Sequence, residues 1–184
     1  KLGFDKEMHH LSYGMVRLPD GKLKSREGKV VDADDLILET QKLAKKGLMA
    51  RGSLNKKDLE DRSLKVALAA IKYIMLKQDI RKGMMFNPKE AIAFTGDTGP
   101  YLLYSYARAS SILRKVKSSR KVVIKDLDDV EIRLVKKIGL FSEIIGGAYK
   151  NLSPNLIANY CFELATLFNE FYHACPVLGS EKEG

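Results

Sequence analysis

The chain has 184 residues, of which 45% are hydrophobic, with a formal net charge of +9 and a pI of about 9.4. This length and composition are typical of a globular protein with one main core, and the positive charge favours a polyanionic partner. No stretch reaches the roughly 18–20 apolar residues of a membrane span. The two cysteines, Cys161 and Cys175, cannot build a disulfide scaffold, and we expect them to be buried free thiols.

The first half of the chain predicts two long helices after a stretch of short strands and loops. A strand is predicted over residues 13–18, and residues 19–21, which read PDG, favour a turn. The acid-rich residues 32–35 suit a helix N-terminus, and leucines at helical spacing continue that helix to about residue 52. Apolar residues that recur at three and four positions predict a second helix over residues 56–77.

The second half predicts further helices separated by glycine and proline. Residues 84–86 are expected to be extended, and residues 87–90 (NPKE) read as a helix cap followed by a first-turn proline. The remaining signals predict a helix opened by Pro100, a helix from about Asp126 to Gly139, a bend at Gly146 and Gly147, and a last long helix from Ser153 to Pro176. The chain is therefore expected to be mainly α-helical.

A basic stretch covers residues 101–125, which hold seven basic residues, three tyrosines and no acidic residue. Because every neutralised phosphate releases counterions, such a stretch favours nucleic acid as a partner. Exposed tyrosines could stack unpaired bases, at roughly 1–3 kcal/mol per base, and unpaired loops are the usual target of sequence-reading RNA-binding proteins. The alternative interpretation, that the tyrosines are core residues and the lysines a solvated surface, stays open on charge alone.

Helical spacing sorts this stretch into two faces. Tyr104, Arg108 and Lys115 fall at spacings of four and seven, which places them close to one face. The other face is expected to be buried and consists of Leu102, Leu103, Ala109, Ile112, Leu113 and Val116. Three aromatic residues of the last helix are expected to be core rather than base-stacking residues, namely Phe168, Phe171 and Tyr172.

Four motifs occur in a fixed order along the chain. Residues 9–16 read HHLSYGMV, residues 22–28 read KLKSREG, residues 94–108 read FTGDTGPYLLYSYAR and residues 159–172 read NYCFELATLFNEFY. In this order they resemble the adenine-binding strand, the KMSKS-type loop and the DALR anticodon-binding domain of arginyl-tRNA synthetases. The DALR motif itself reads SYAR here, so its Ala-Arg pair is kept and its first residue is not acidic.

The resemblance implies a fold and a domain organisation. It implies a mainly α fold, in which a helical anticodon-binding bundle is preceded by a short α/β remnant of a class I, Rossmann-type catalytic domain. Residues 1–52 would be the tail of the catalytic domain with the KMSKS-like loop and a connector helix. Residues 53–184 would be the anticodon-binding domain, without its final helix. The HIGH motif and the arginine pocket are not in this sequence, so the chain is expected to be an inactive fragment of a larger enzyme.

The resemblance also implies a reaction. Arginyl-tRNA synthetases attach arginine to its tRNA through arginyl-adenylate, which forms when the arginine carboxylate displaces pyrophosphate from ATP. Cations beside the phosphate oxygens stabilise that transition state. The larger enzyme would use ATP with Mg²⁺ and act in the cytoplasm, without a DNA or membrane partner, and the fragment is not expected to hold a cofactor tightly.

The family pattern assigns the nucleotide-binding residues. The loop that would stabilise the transition state contains Lys22, Lys24, Ser25 and Arg26, where Ser25 replaces the second lysine of KMSKS. Backbone groups of the preceding strand would face adenine, with a histidine beside the nucleotide, and these residues are His10, Gly14, Met15 and Val16. No metal site is expected, since the adjacent side chains of His9 and His10 diverge and no further ligands lie nearby.

The tRNA contacts are assigned to two helices. They are Tyr101, Tyr104, Arg108, Arg114 and Lys115 from the basic stretch, with Asn159 and Tyr160 from the last helix. Two alternatives to the synthetase reading stay open. One is a stand-alone tRNA-binding or assembly module without catalysis, and the other is a structural helical protein with a solvated basic face.

Overall fold

The computed structural model describes residues 3, 6, 8–19, 32–115 and 127–175, and these ranges contain seven helices and two short strands. The elements are β1 (Val16–Arg17), α1 (Ala33–Met49), α2 (Lys56–Leu76), β2 (Met84–Met85), α3 (Pro88–Ala91), α4 (Gly99–Lys115), α5 (Asp129–Gly139), α6 (Phe141–Asn151) and α7 (Asn155–Ala174). The prediction of a mainly α chain is confirmed. The second helix agrees with its predicted bounds to within one residue.

Helix α2 is central because it packs against both α1 and α4. Its start is fixed by Asn55, whose side chain accepts a hydrogen bond of 2.8 Å from the Asp58 backbone N–H. Small residues line its buried side, including Ser63, Ala67 and Ala70, so neighbouring helices approach closely. The first helix is anchored there by polar contacts as well as by packing.

The two strands pair in parallel, with Val16 opposite Met84 and Arg17 opposite Met85. Phe86 follows β2 and is fully buried, and it forms the centre of the core together with Ala70 and Ala91. The extended conformation predicted for residues 84–86 is therefore confirmed for the strand. The pair attaches the N-terminal segment to the helical core.

Helix α3 begins as the sequence predicts. The Asn87 side chain accepts a hydrogen bond of 3.1 Å from the Lys89 backbone N–H, and Pro88 occupies the first turn. Farther along the chain, α5 starts at a capping box formed by Asp128 and Glu131. It ends at Gly139, as predicted.

The second half of the fold is built around α7, which packs against α4, α5 and α6. The predicted bend at Gly146 and Gly147 is wrong, because both glycines lie inside α6. The chain turns instead at Leu152, which adopts a left-handed conformation with φ of 50° after the end of α6. An added Cβ at Gly146 would meet nothing within 4 Å, so no close contact requires a glycine there.

The predicted domain boundary at residues 52 and 53 falls between two packed helices. Lys45 of α1 forms an ion pair of 2.5 Å with Glu60 of α2, and the Gln41 amide also donates to Glu60. Strand pairing crosses the same boundary. The division into a catalytic tail and an anticodon-binding domain stays a prediction. Within the described ranges, no helix is long and apolar enough to cross a membrane.

Candidate nucleic-acid interface

The start of α4 is fixed by the glycine-rich segment before it. The Thr98 hydroxyl accepts a hydrogen bond of 3.3 Å from the Tyr101 backbone N–H and donates one of 2.5 Å to the Ala93 carbonyl. Gly99 lies so close to α2 that an added Cβ would be 2.1 Å from the Ala69 carbonyl oxygen. Pro100 is buried in the first turn. The position of α4, and of every side chain on it, therefore depends on this segment.

Arg108 lies between two tyrosine rings at the surface of the α4–α7 pair. The centre of its guanidinium group is 4.6 Å from the ring centroid of Tyr104 and 4.2 Å from that of Tyr172. Both tyrosines are exposed, whereas Arg108 is half-buried. The guanidinium group also donates a hydrogen bond of 2.5 Å to the Tyr104 hydroxyl. Aromatic faces and a guanidinium plane at a surface are the groups on which unpaired bases stack.

The buried side chain of Asn169 connects α7 to α4 beneath this surface. Its amide oxygen accepts a hydrogen bond of 2.5 Å from Arg108. Its amide nitrogen lies 2.7 Å from the Ser105 hydroxyl, 3.0 Å from the Tyr101 hydroxyl and 2.9 Å from the Ala165 carbonyl oxygen. Since Arg108 can only donate and a carbonyl can only accept, these partners fix the orientation of the amide.

A surface depression of about 250 Å³ lies next to the Arg108 side chain. Its walls combine aromatic, aliphatic, hydroxyl and basic groups from Tyr104, Ala107, Arg108, Ser111, Ile112, Lys115 and Tyr172. Lys115 is exposed at the C-terminal end of α4, where the positive charge is also favoured by the helix dipole. The depression therefore offers stacking surfaces and a cation side by side.

The structure brings together only part of the predicted tRNA-binding set. Tyr104, Arg108 and Lys115 share the depression. Tyr101 lies one turn away, half-buried, with its ring centroid 5.8 Å from that of Phe162. Arg114 is exposed near the end of α4.

The two predicted residues of α7 lie apart from the depression. Tyr160 is only 4% exposed, and its hydroxyl donates a hydrogen bond of 3.0 Å to the Lys137 carbonyl. Asn159 is exposed but precedes Tyr172 by 13 positions, which is about 20 Å along the helix axis. No single small ligand can therefore touch Asn159 and the Arg108 depression.

The apolar face predicted for α4 needs two corrections. Leu103 is 36% exposed and Leu113 is 76% exposed, so neither is a core residue. Tyr172, which was predicted to be a core residue, is exposed and stacks on Arg108. Periodicity failed at these positions because α4 packs through small residues such as Gly99 and Ser105, and larger apolar side chains remain at the edge. Val116 lies outside the described residues.

The predicted adenine-binding strand is placed by its backbone contacts. The Gly14 N–H donates to the Ile80 carbonyl at 2.7 Å, and the Met15 carbonyl accepts from the Met84 N–H at 3.0 Å. An added Cβ at Gly14 would lie 2.2 Å from the Lys82 backbone, so this close approach requires glycine. By strand alternation, the N–H and carbonyl of Val16 point away from β2.

The other predicted nucleotide-binding residues are either exposed or outside the described residues. His10 is exposed and lines a cavity of about 290 Å³ with residues of the loop after α2 and of the α6–α7 turn. Lys22, Lys24, Ser25 and Arg26 lie outside the described residues. In the described ranges there is no group of three or more His, Cys, Asp or Glu side chains that could hold a metal ion.

Two titratable groups, one on α2 and one on α7, are perturbed by burial. Burial and the carboxylate of Asp97, which accepts a hydrogen bond from the Tyr73 hydroxyl, raise the pKa of Tyr73. Burial also raises the pKa of the Cys161 thiol, which is half-buried on α7. Both shifts favour the neutral form, so these groups act as packing and hydrogen-bonding residues near neutral pH.

Sequence reasoning missed Asn169, Ser105 and the role of Tyr172. A signal for Asn169 exists, because it continues the series Ile157, Cys161 and Ala165 at intervals of four. A polar residue in an apolar stripe indicates a buried hydrogen-bonding group. Its partners on α4 could not be named, since they lie 61 to 68 positions away in the sequence.

Residues 102–184, which contain most of α4 and all of α5, α6 and α7, match the family model of the DALR anticodon binding domain. This part of the chain is therefore similar to DALR anticodon-binding domains. The hydrogen-bonded contacts of Asn169 with Ser105 and Arg108 lie inside the matched region, while Tyr101 directly precedes it.

Relatives and solved structures extend the similarity to nearly the whole chain. The chain is 46% identical to an arginine–tRNA ligase of Flavobacterium psychrophilum and 43% identical to one of Bacteroides thetaiotaomicron. These alignments cover 98% and 100% of the chain, but only 31% and 32% of the relatives. The chain thus spans about a third of the length of these curated relatives.

Solved structures agree with the sequence comparisons. Thermus thermophilus arginyl-tRNA synthetase superposes with a TM-score of 0.86 at 31% identity, over 95% of this chain and 30% of that one. Arginyl-tRNA synthetase from Plasmodium falciparum gives a TM-score of 0.77 at 29% identity, over the same shares of the two chains. The predicted resemblance to arginyl-tRNA synthetases is confirmed.

Proposed function

We propose that this chain is the tRNA-anticodon-binding section of an arginine–tRNA ligase, and that it binds unpaired anticodon bases around Arg108. The observation that carries the proposal is the stack of Tyr104, Arg108 and Tyr172 beside Lys115, inside the region that matches the DALR anticodon binding domain. The stack supplies surfaces for bases, and Lys115 supplies a charge for the backbone. Arg114 and Tyr101 extend this surface along α4.

We further propose that the whole ligase uses ATP with Mg²⁺ to activate arginine in the cytoplasm, as the resemblance implies. The outward backbone groups of Val16 fit adenine recognition, because they offer one donor and one acceptor at a strand edge. By contrast, the Gly14 N–H is bonded to the Ile80 carbonyl and the Met15 carbonyl accepts from the Met84 N–H. Val16 is thus the strand residue best suited to this role, and the Lys22–Arg26 loop would supply positive charge to the phosphates.

Binding to tRNA tests the proposal directly. We would titrate the 184-residue chain with arginine tRNA and with the same tRNA carrying a substituted central anticodon base. We expect discrimination of about 1–3 kcal/mol, a ratio of roughly 5 to 150 in Kd, because base readout adds to phosphate attraction. Equal binding to both tRNAs would mean that the basic face attracts phosphates without reading the anticodon base. Absence of binding to either tRNA would refute the proposal for this chain.

Variants separate the two kinds of contact. Lys115→Ala should reduce the slope of log K against log salt concentration by about 0.7, the value for one phosphate of a single strand. Tyr172→Ala should weaken binding without changing that slope, because a stacked base releases no counterion. Tyr149→Ala is the matched control, since this tyrosine is 84% exposed on α6 and lies outside the depression.

The predicted inactivity of this chain alone is tested by ATP–pyrophosphate exchange with arginine and tRNA present. We expect no exchange by the 184-residue chain and arginine-dependent exchange by the complete ligase. Exchange by the 184-residue chain would overturn this part of the proposal.

A further inference from the structure

We propose that Asn169 is the positioning residue of the anticodon-binding surface, and that it acts on tRNA through Arg108. The inference rests on the proposed function. The buried carboxamide of Asn169 holds the Arg108 guanidinium against the Tyr104 and Tyr172 rings, and thereby fixes the surface that these three side chains together offer to an unpaired base. Asn169 itself does not touch the RNA.

The burial of Asn169 supports an indirect role. The residue is only 8% exposed, and its neighbour Ser105 is only 4% exposed. Neither is open to a base or a phosphate. Their hydrogen bond of 2.7 Å joins α7 to α4 directly below the exposed stack.

The chemistry of the partners requires an amide at this position. The oxygen faces the donor-only guanidinium of Arg108, while the nitrogen faces the acceptor-only carbonyl of Ala165 at 2.9 Å. A carboxylate would keep the first contact but would place an oxygen against that carbonyl. An apolar side chain would lose both contacts and leave the half-buried Arg108 guanidinium without its acceptor on α7.

Positioning matters because arginine has many rotamers. A free arginine side chain must lose that freedom when it orders against a base, and this cost weakens binding. Two tyrosine rings and one amide oxygen already hold Arg108 in a single place. Preorganisation therefore contributes to both affinity and base discrimination.

A double-mutant cycle on the 184-residue chain tests the inference. The variants are Asn169→Ala, Arg108→Ala and the double variant, each titrated with arginine tRNA and with the tRNA carrying the substituted central anticodon base. We expect each single variant to raise Kd by about 5- to 150-fold, the fold-change that corresponds to 1–3 kcal/mol for a stacked base. The double variant should be no more than about twofold weaker than Arg108→Ala alone, because both changes remove one interaction.

Two further variants separate positioning from general stability. Asn169→Asp keeps the shape of the side chain and the acceptor for Arg108, and we expect it to bind more weakly than wild type because the contact with the Ala165 carbonyl becomes repulsive. Thr166→Ala is the matched control, since the Thr166 hydroxyl donates a hydrogen bond of 2.9 Å to the Phe162 carbonyl within the same helix. We expect its Kd to stay within about twofold of wild type.

The titrations distinguish a failure of the role of Asn169 from a failure of the proposed function. If wild type binds neither tRNA, both proposals fall. Two results overturn only the role of Asn169, provided that wild type discriminates between the two tRNAs. One is a double variant whose Kd increase is the product of the increases of Asn169→Ala and Arg108→Ala. The other is an Asn169→Ala variant that binds like wild type. Loss of discrimination in Asn169→Ala at an unchanged salt slope supports positioning. Should that variant not fold by circular dichroism, Asn169→Leu, which keeps the size of the side chain but offers Arg108 no acceptor, carries the test with the same cycle against Arg108→Ala.

Discussion

Replacement of Gly99 by alanine probes the contact that sets the position of α4. A Cβ at this residue would lie 2.1 Å from the Ala69 carbonyl oxygen, 2.4 Å from its carbonyl carbon and 2.9 Å from the Ala70 nitrogen. The first distance is more than about 1 Å shorter than the 3.3–3.6 Å at which carbon meets a carbonyl oxygen. The atoms that clash belong to the backbone of α2, so they cannot move aside as a flexible side chain could.

The expected cost follows from two opposing terms. Overpacking of a tight site costs typically about 1–3 kcal/mol, and rigid backbone atoms place Gly99→Ala in the upper part of that range. Alanine also has fewer backbone conformations than glycine in the unfolded chain, and this difference stabilises the folded state by about 0.4–1 kcal/mol. The net effect should be a destabilisation of about 2 kcal/mol. For a chain of this size, that lowers Tm by about 4–8 °C.

The assay is urea denaturation monitored by circular dichroism, with Gly146→Ala as the matched control. Gly146 lies inside α6, where an added Cβ meets nothing within 4 Å, so alanine should stabilise the chain by about 0.8–1 kcal/mol. The two substitutions are chemically identical and are expected to have opposite signs. A Gly99→Ala variant as stable as wild type would refute the reasoning, since α4 would then not be held against α2 by this contact.

Two other predictions concern α2 and the loop before α4. The wild-type chain should lose stability above pH 10, because the raised pKa of Tyr73 keeps its hydroxyl protonated in the folded chain while the same group ionises at its ordinary pKa of about 10 in the unfolded chain. Tyr73→Phe removes this group and should therefore lose less stability above pH 10. Tm measured at pH 9 and pH 11 for both proteins checks this, and an identical drop in the two would contradict it. Asn55→Ala should destabilise the chain by about 1 kcal/mol through loss of the N-cap of α2, measured by urea denaturation. The exposed Lys57→Ala change on the same helix is its control.

Local sequence patterns predicted the helices whose apolar periodicity or capping residues lie within the helical segment itself. The bounds of α2 were predicted from apolar periodicity alone, and the structure adds Asn55 as the cap that fixes its first residue. The bend predicted at Gly146 and Gly147 failed because glycine permits a turn without forcing one. The left-handed residue after α6 is Leu152, a type that sequence rules do not associate with this conformation.

The interface was predictable only in part, because helical spacing groups residues of one helix but does not show how two helices pack. Tyr104, Arg108 and Lys115 could be grouped because helical spacing places them on one face of a single element. Asn169 could not be paired with Arg108, because the pairing depends on how α7 packs on α4. Tyr160 was assigned to the surface from its neighbours in the motif, whereas the packing of α5 on α7 buries it.

Helix α4 therefore combines packing with the proposed recognition of tRNA, through small residues on one side and large ones on the other. Gly99 brings the start of α4 against α2, and Ser105 lets α7 approach closely enough for the short side chain of Asn169 to reach across. A larger residue at Ser105 would separate the helices and remove the acceptor from Arg108. Arg108 would then be a flexible side chain between two exposed tyrosines, and the stacked surface would be lost. The identity of small buried residues thus determines the shape of the exposed surface proposed to bind the anticodon.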